Sequence, residues 1–182
     1  MTVERKRNIP LWQKRLTGRL SKLQVMSIAH DLQQDNEGIR EVLRIVLQQE
    51  DAHTAMNAAW VLQHLSKEDK AHSLPEHRNT LIDFSMRKNI KIRRGLILSV
   101  LLDMPDADEP RVDFLDYCME EFANEQQNDS CRSTMIKLAL RMCAPYPELK
   151  EELRQGLLLL PPGLPPSIAS AKRKVLKALP WR

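Results

Sequence analysis

Residues 51–66, DAHTAMNAAWVLQHLS, decide the fold class, because their apolar residues recur at the spacing of one helical face. Ala55, Ala58, Leu62 and Leu65 follow one another at intervals of three or four positions. A half-buried strand would instead alternate with a period of two. The stretch therefore predicts an amphipathic helix, and Asp51 stands where its carboxylate can cap the first free backbone N–H groups.

The end of this helix recurs along the chain. Four-residue helix ends of similar composition close at Leu32, Leu65, Leu102, Cys143 and Leu179, which are 33, 37, 41 and 36 positions apart. Each interval holds two helices joined by short loops, and this period is typical of stacked helical-pair repeats. A globular bundle of similar helices stays the alternative, since the intervals are unequal.

The same spacing predicts nine helices and a shorter tenth, with no strand. They run over residues 10–17, 21–33, 36–49, 51–66, 74–88, 90–103, 110–124, 130–143, 147–160 and 167–179. Side-chain N-caps are expected at Asp35, Asp51, Asn89 and either Ser130 or Asp129. The sequence thus predicts an all-α fold, an α-α superhelix of nine to ten helices stacked in antiparallel pairs. We expect a basic N-terminal segment over 1–20 and one solenoid domain over 21–182.

Two helix starts carry a family resemblance. Asp129-Ser-Cys-Arg132, followed by apolar residues, resembles the Asp…Arg pattern of HEAT units, and Asn89-Ile-Lys-Ile-Arg93 is similar. Asp51 opens the equivalent earlier helix but lacks the Arg. The chain therefore resembles HEAT and armadillo-like α-solenoids, and this resemblance implies that the second helix of each pair lines a concave side.

Three other stretches resemble a family of short bacterial helical-repeat proteins without established activity. They are Asn57–Leu62, Val112–Cys118 and Pro145–Leu149. Some members carry an adenylosuccinate lyase label. This sequence does not support that label, because the Gly- and Ser-rich signature loop of such lyases is missing. We expect a protein that is not an enzyme and assign no catalytic residue.

Charge is concentrated at the two ends of the chain. Residues 1–24 carry seven Lys or Arg and one acidic residue, and residues 167–182 carry five Lys or Arg and no acidic residue. The middle is therefore acidic, although the whole chain has a formal charge of +4. A duplex-binding protein usually presents one continuous basic face. Nucleic-acid binding, as in a DNA alkylation-repair-like HEAT protein, is thus the second hypothesis rather than the first.

Metal, cofactor and membrane chemistry have no sequence signature here. The three cysteines are far apart, the five histidines lack ligand spacing, and five glycines form no phosphate-binding loop. We predict no metal and no cofactor. The N-terminus lacks the apolar core of a secretory signal, and no long uncharged apolar run occurs. We therefore expect a cytoplasmic protein with no membrane partner.

Two charged features are candidate binding surfaces. Arg93, Arg94 and Arg132 stand on predicted second helices, where they could recognise carboxylates or phosphates in the groove. Their competing role is structural, with the guanidinium groups bonded to carboxylates or loop carbonyls at the repeat junction. Residues 103–125 hold nine carboxylates against one arginine, and could be a docking stripe for a basic partner or a solvated face.

The prediction for function is therefore a non-enzymatic protein-interaction module. It would bind an unidentified partner protein through its concave groove or its acidic stripe, and its oligomeric state is left open. Of the tryptophans, Trp60 is predicted to pack in the core. Trp12 and Trp181 lie in the basic ends, where they could serve a membrane, a nucleic acid or the apolar cap of a solenoid.

Overall fold

Helices account for all the regular structure in the part of the chain that the structure describes. That structure is a computed structural model, which describes residues 11–48 and 51–179, without the side chains of residues 91 and 92. Over these ranges the chain forms eleven α-helices, one 3-10 helix and no strand. The α-helices are α1 Leu11–Leu16, α2 Lys22–Asp31, α3 Asn36–Leu47, α4 Ala52–His64, α5 Lys67–Ser73, α6 Arg78–Ser85, α7 Lys91–Asp103, α8 Val112–Glu121, α9 Asp129–Cys143, α10 Pro147–Leu159 and α11 Pro166–Ala178. None of these described helices is both long and apolar enough to cross a bilayer.

The predicted all-α fold is confirmed, but the predicted number of helices was too low. Helix α5, KEDKAHS, was not predicted because it has no apolar stripe. Its first turn is held instead by Ser66, whose hydroxyl oxygen accepts a 3.0 Å hydrogen bond from the backbone N–H of Asp69. The predicted helix over 74–88 divides into the 3-10 helix Pro75–His77 and α6.

The N-caps agree with the sequence at two positions and differ at two. Asp35 and Asp51 cap α3 and α4 as predicted. Helix α9 is capped by Asn128, because its Oδ1 accepts a 2.9 Å hydrogen bond from the backbone N–H of Ser130. The predicted cap at Ser130 or Asp129 was therefore wrong. The prediction of Asn89 for α7 was also wrong, since the N-cap of α7 is Ile90, without a side-chain bond.

The described contacts divide the chain into two compact units, residues 1–74 and 75–182. In the first, α3 packs along α4, α2 packs on α4, and α1 contacts both α3 and α4. The buried amide of Asn57 fixes the turn after α1, because its Nδ2 donates 2.8 Å hydrogen bonds to the carbonyls of Leu16 and Gly18. The domain boundary expected at residue 20 stays a prediction.

The two tryptophans of the first unit differ in burial, and Trp60 does not lie where the sequence placed it. Trp12 is buried, and its backbone N–H donates to Glu41 Oε1 at 3.2 Å. Trp60 is only partly buried and meets the ring of His64 edge-on, with 6.0 Å between ring centroids. The burial predicted for Trp60 thus belongs to Trp12, because α1 packs its indole against Gly38, which has no side chain. Trp181 lies outside the described residues.

Helix α9 is the centre of the second unit. It packs against α7, α8, α10 and α11, and its residues Met135, Ile136 and Ala139 are fully buried. Consecutive helices pair as α6 with α7, α8 with α9, and α10 with α11. The second helices of these pairs also touch, α7 with α9 and α9 with α11. Contacts of both kinds are typical of stacked helical-pair repeats.

Replacement of Gly38 by alanine is expected to destabilise the first unit. A Cβ at Gly38 would lie 2.3 Å from Asp35 Oδ2 and 2.7 Å from Trp12 Nε1, so the cap of α3 and the indole would have to move. Such overpacking costs about 1–3 kcal/mol, more than the ~1 kcal/mol that alanine gains over glycine in a helix. We expect Gly38→Ala to lower the urea midpoint and to change the Trp12 near-ultraviolet circular dichroism.

Gly156→Ala is the matched control. Its Cβ would lie 3.4 Å from Phe122 Cζ, an ordinary contact, so stability should be unchanged or slightly higher. An equal or higher midpoint for Gly38→Ala would contradict the close packing of α1 on α3.

Candidate functional site

The three arginines predicted to bind a ligand are buried. Arg93, Arg94 and Arg132 expose 8%, 5% and 3% of their surface, too little for an open groove lined by free guanidinium groups. The guanidinium of Arg93 lies 5.2 Å from the centre of the Phe84 ring. Burial, followed by the nearby charge of Arg87, lowers the pKa of Arg93.

Arg94 and Arg132 have the same structural role. Each is the fourth residue of its helix, α7 or α9. Arg94 Nε donates a 2.9 Å hydrogen bond to the carbonyl of Ser85, the last residue of α6. Arg132 Nε donates one of 2.9 Å to the carbonyl of Phe122, the C-cap of α8. Each therefore satisfies a carbonyl that the preceding helix leaves without an intrahelical partner.

These contacts correspond to the structural role that the sequence analysis gave as the alternative to ligand binding for the arginines. The sequence analysis matched Arg93 with Arg132, but the structural equivalent of Arg132 is the next residue, Arg94. Recognition of a ligand by Arg93, Arg94 and Arg132 stays a prediction. Of these residues, Arg94 also lines a cavity.

The Arg94 cavity, as we name it, has a volume of about 710 Å³ and lies in the second unit. Its wall includes Lys88, Arg94, Tyr117, Glu121 and Gln127. Arg94 Nη1 donates to Gln127 Oε1 at 3.0 Å, which fixes the loop before α9. Burial raises the pKa of Tyr117 to about 12, so its phenol stays protonated at neutral pH.

Gly95 lets α7 and α9 approach closely beside this cavity. A Cβ at Gly95 would lie 3.3 Å from Cys131 Sγ and 3.8 Å from Ser130 Oγ. The first turn of α9 therefore stands directly against α7, and Ser130 and Cys131 line the cavity. The sequence did not single out Tyr117, Glu121 or Gly95 as site residues.

A second cavity, of about 580 Å³, is lined in part by residues 105–111, the loop that follows α7. Arg141 holds the end of α7, where this loop begins, by donating to the carbonyls of Leu102 at 2.5 Å and Met104 at 2.8 Å. Arg78 donates to the carbonyl of Pro105. Burial, followed by the charge of Arg141, lowers the pKa of Arg78. The sequence did not single out Arg78 or Arg141 as site residues.

The acidic stripe is exposed and only partly neutralised. Arg111 pairs with Asp83 at 2.8 Å and with Asp113 at 2.5 Å, and its hydrogen bond lowers the pKa of Asp113. Within residues 103–125, the exposed carboxylates that make no ion pair with a described residue are Asp108, Glu109, Asp116, Glu120 and Glu125. We call these five the acidic surface.

The cysteines offer no reactive group. Cys118, Cys131 and Cys143 are free and buried, and burial raises the pKa of each thiol, to about 11 for Cys143. A thiolate, which is the nucleophile and the metal ligand, is therefore disfavoured at all three positions. No group of three or more His, Cys, Asp or Glu in the described ranges is placed to hold a metal ion.

One family model matches the chain, and it covers nearly its whole length. The model is described as a HEAT repeat domain and matches residues 12–179. No curated protein and no solved structure gives a significant match.

The structural role of Arg94 predicts that its replacement destabilises the second unit. Arg94→Met removes hydrogen bonds to the carbonyls of Ser85 and Arg87 and to Gln127 Oε1. A buried acceptor left without a donor costs roughly 1–3 kcal/mol, so the free energy of unfolding should fall by about 2–4 kcal/mol. Urea denaturation followed by far-ultraviolet circular dichroism measures the change.

Lys88→Met is the control, because Lys88 is exposed in the turn before α7 and its loss should cost no more than about 0.5 kcal/mol. Equal stability of the two variants would argue against the structural role of Arg94.

Proposed function

Since the chain belongs to the HEAT repeat domain family, we propose that it is a non-enzymatic module that binds a basic segment of a partner protein. Helical repeats of this kind present extended surfaces rather than enclosed catalytic sites. The observation that carries the choice of surface is the acidic surface, five exposed carboxylates without an ion pair among the described residues.

Electrostatics favours a basic partner at this surface. Asp116 and Glu120 lie one helical turn apart on α8, and the other three carboxylates flank that helix in the chain. Their charges repel one another, and a Lys- or Arg-rich segment would relieve that repulsion. Such attraction raises association rates and specificity, and it weakens as salt is added.

The proposal also keeps three expectations from the sequence, which concern the compartment, the related proteins and a second binding mode. We place the protein in the cytoplasm, and we retain its likeness to short bacterial helical-repeat proteins. Contact of the partner with Arg93, Arg94 or Arg132 in a concave groove is the other binding mode that the sequence suggested. Burial of these three residues makes the acidic surface the better supported of the two.

A charge reversal on α8 tests the proposal. Random peptides displayed on phage are selected against the native chain, and the selected peptides are then synthesised with a fluorescent label. We expect them to be rich in Lys and Arg, and Asp116→Lys/Glu120→Lys should weaken their binding by at least about tenfold in fluorescence anisotropy. Added NaCl should weaken binding to the native chain as well.

Glu148→Lys/Glu152→Lys is the matched control. These carboxylates are exposed on α10 in the same unit, and the net charge changes equally. Peptides without basic residues, or equal loss of binding in both double variants, would refute recognition by the acidic surface.

Nucleic-acid binding is the second candidate, and α11 is the observation that favours it. This helix carries Lys172, Arg173, Lys174 and Lys177 and no acidic residue. A fluorescent DNA duplex titrated at several NaCl concentrations separates the candidates. Tight binding with a steep salt dependence that Arg173→Glu/Lys174→Glu abolishes would favour this alternative.

A further inference from the structure

The Arg94 cavity contains a buried positive charge that makes no ion pair with a described carboxylate. The guanidinium is hydrogen-bonded to three neutral acceptors, the carbonyls of Ser85 and Arg87 and the side-chain oxygen of Gln127. A guanidinium has five N–H donors, so two remain, one on each terminal nitrogen. Arg94 makes no ion pair with any residue of the described ranges. A buried charge is usually paired, because removal from water without a partner is unfavourable.

Tyr117 adds an unsatisfied donor to the same wall. Its hydroxyl is buried and has no hydrogen-bond partner among the described residues. Burial keeps the phenol protonated, since the pKa of Tyr117 rises to about 12. The group therefore donates a hydrogen bond when an acceptor enters, and it stands near enough to Arg94 for the arginine charge to act on its pKa.

The other lining groups indicate the charge of a ligand that would suit this cavity. Lys88 and Arg94 are positive and Glu121 is negative, so the wall carries one net positive charge. Glu121 Oε2 accepts hydrogen bonds from Asn124 Nδ2 at 3.1 Å and from Gln127 Nε2, and these bonds hold the carboxylate in place. A single negative charge balances this wall, whereas a doubly charged phosphate would leave an excess of one negative charge beside Glu121. The 15-residue helix α9 begins at the cavity, and its N-terminus adds partial positive charge.

We propose that the Arg94 cavity binds the carboxylate of an acidic side chain within a peptide segment. The carboxylate accepts hydrogen bonds from Arg94 and Tyr117, with Lys88 at the exposed rim. A volume of about 710 Å³ is far larger than one carboxylate needs and lies within the usual range of ligand sites. The amides of Asn124 and Asn128 and the hydroxyl of Ser130 also line it, and such groups suit main-chain amides of a peptide.

This site is separate from the acidic surface, and its ligand has the opposite charge. The inference therefore does not rest on the proposed function, and each can fail without the other.

The test uses a short capped peptide with one central glutamate in an alanine–serine sequence. The peptide is titrated into the isotope-labelled full chain while the backbone amide signals are followed by NMR. We expect saturable shifts at Gly95, Ser130 and Cys131. The matched glutamine peptide should bind at least about tenfold more weakly, since hydrogen bonds to a charged group are the stronger ones.

Tyr117→Phe separates binding from folding. The hydroxyl has no partner to lose, so the melting temperature should stay equal or rise, while affinity for the glutamate peptide should fall about tenfold. Lys88→Gln should also weaken binding without loss of stability. Tyr146→Phe and Lys137→Gln make the same chemical changes outside the cavity and should leave affinity unchanged.

Several results would overturn the proposal. They are equal affinities for the glutamate and glutamine peptides, shifts outside the cavity only, or full affinity in Tyr117→Phe. Tighter binding of a phosphoserine peptide would make the ligand a phosphate instead. Equal binding of free glutarate would make it a small carboxylate and would reject the peptide segment.

Discussion

Basic side chains that reach back to the end of a preceding helix hold this fold together. The last carbonyls of an α-helix have no intrahelical partner, and many proteins satisfy them with a glycine of positive φ. Here the described residues with positive φ are Gly18, Gly163 and Gln34. Other helix ends are tied by Lys70 to Gln63, Arg94 to Ser85, Arg132 to Phe122, Arg141 to Leu102 and Lys172 to Leu160. Each bond also places a positive charge at the negative end of a helix dipole.

This device adds to the uneven distribution of charge along the sequence, in which the whole chain has a formal charge of +4 but the basic residues are concentrated at the two ends. Arg94, Arg132 and Lys70 are buried at helix junctions, so their charges contribute little to the outer surface. The five carboxylates of the acidic surface have no such internal role and lie in solvent. These buried cations count in the net charge of the chain but contribute little to the charge of its outer surface. A docking surface for a basic segment can thus exist on a basic protein.

The apolar spacing predicted most of the helices to within a few residues, because burial and helical period are coupled. Helix α3 was predicted over 36–49 and ends at Leu47. Helix α5 was missed because a capping serine, not an apolar stripe, holds it. The arginines were found but their roles were not separated, since Arg93 and Arg94 are adjacent and a shift of one residue rotates a side chain by about 100°. Tyr117 and Glu121 join Arg94 only through packing of α8 beside α7 and α9, which no local pattern encodes.

The Arg94 cavity and the acidic surface differ in how far their side chains are held in place by the fold. The guanidinium of Arg94 uses three donors to fix the end of α6 and the loop before α9, and those same bonds position it in the cavity wall. A ligand there would be bound by a group that the fold already holds rigid, so little conformational entropy is lost on binding. Asp116 and Glu120 fix no other described element, and a partner would have to order their side chains. The cavity is therefore suited to a defined chemical group, and the acidic surface to adaptable, salt-sensitive contacts.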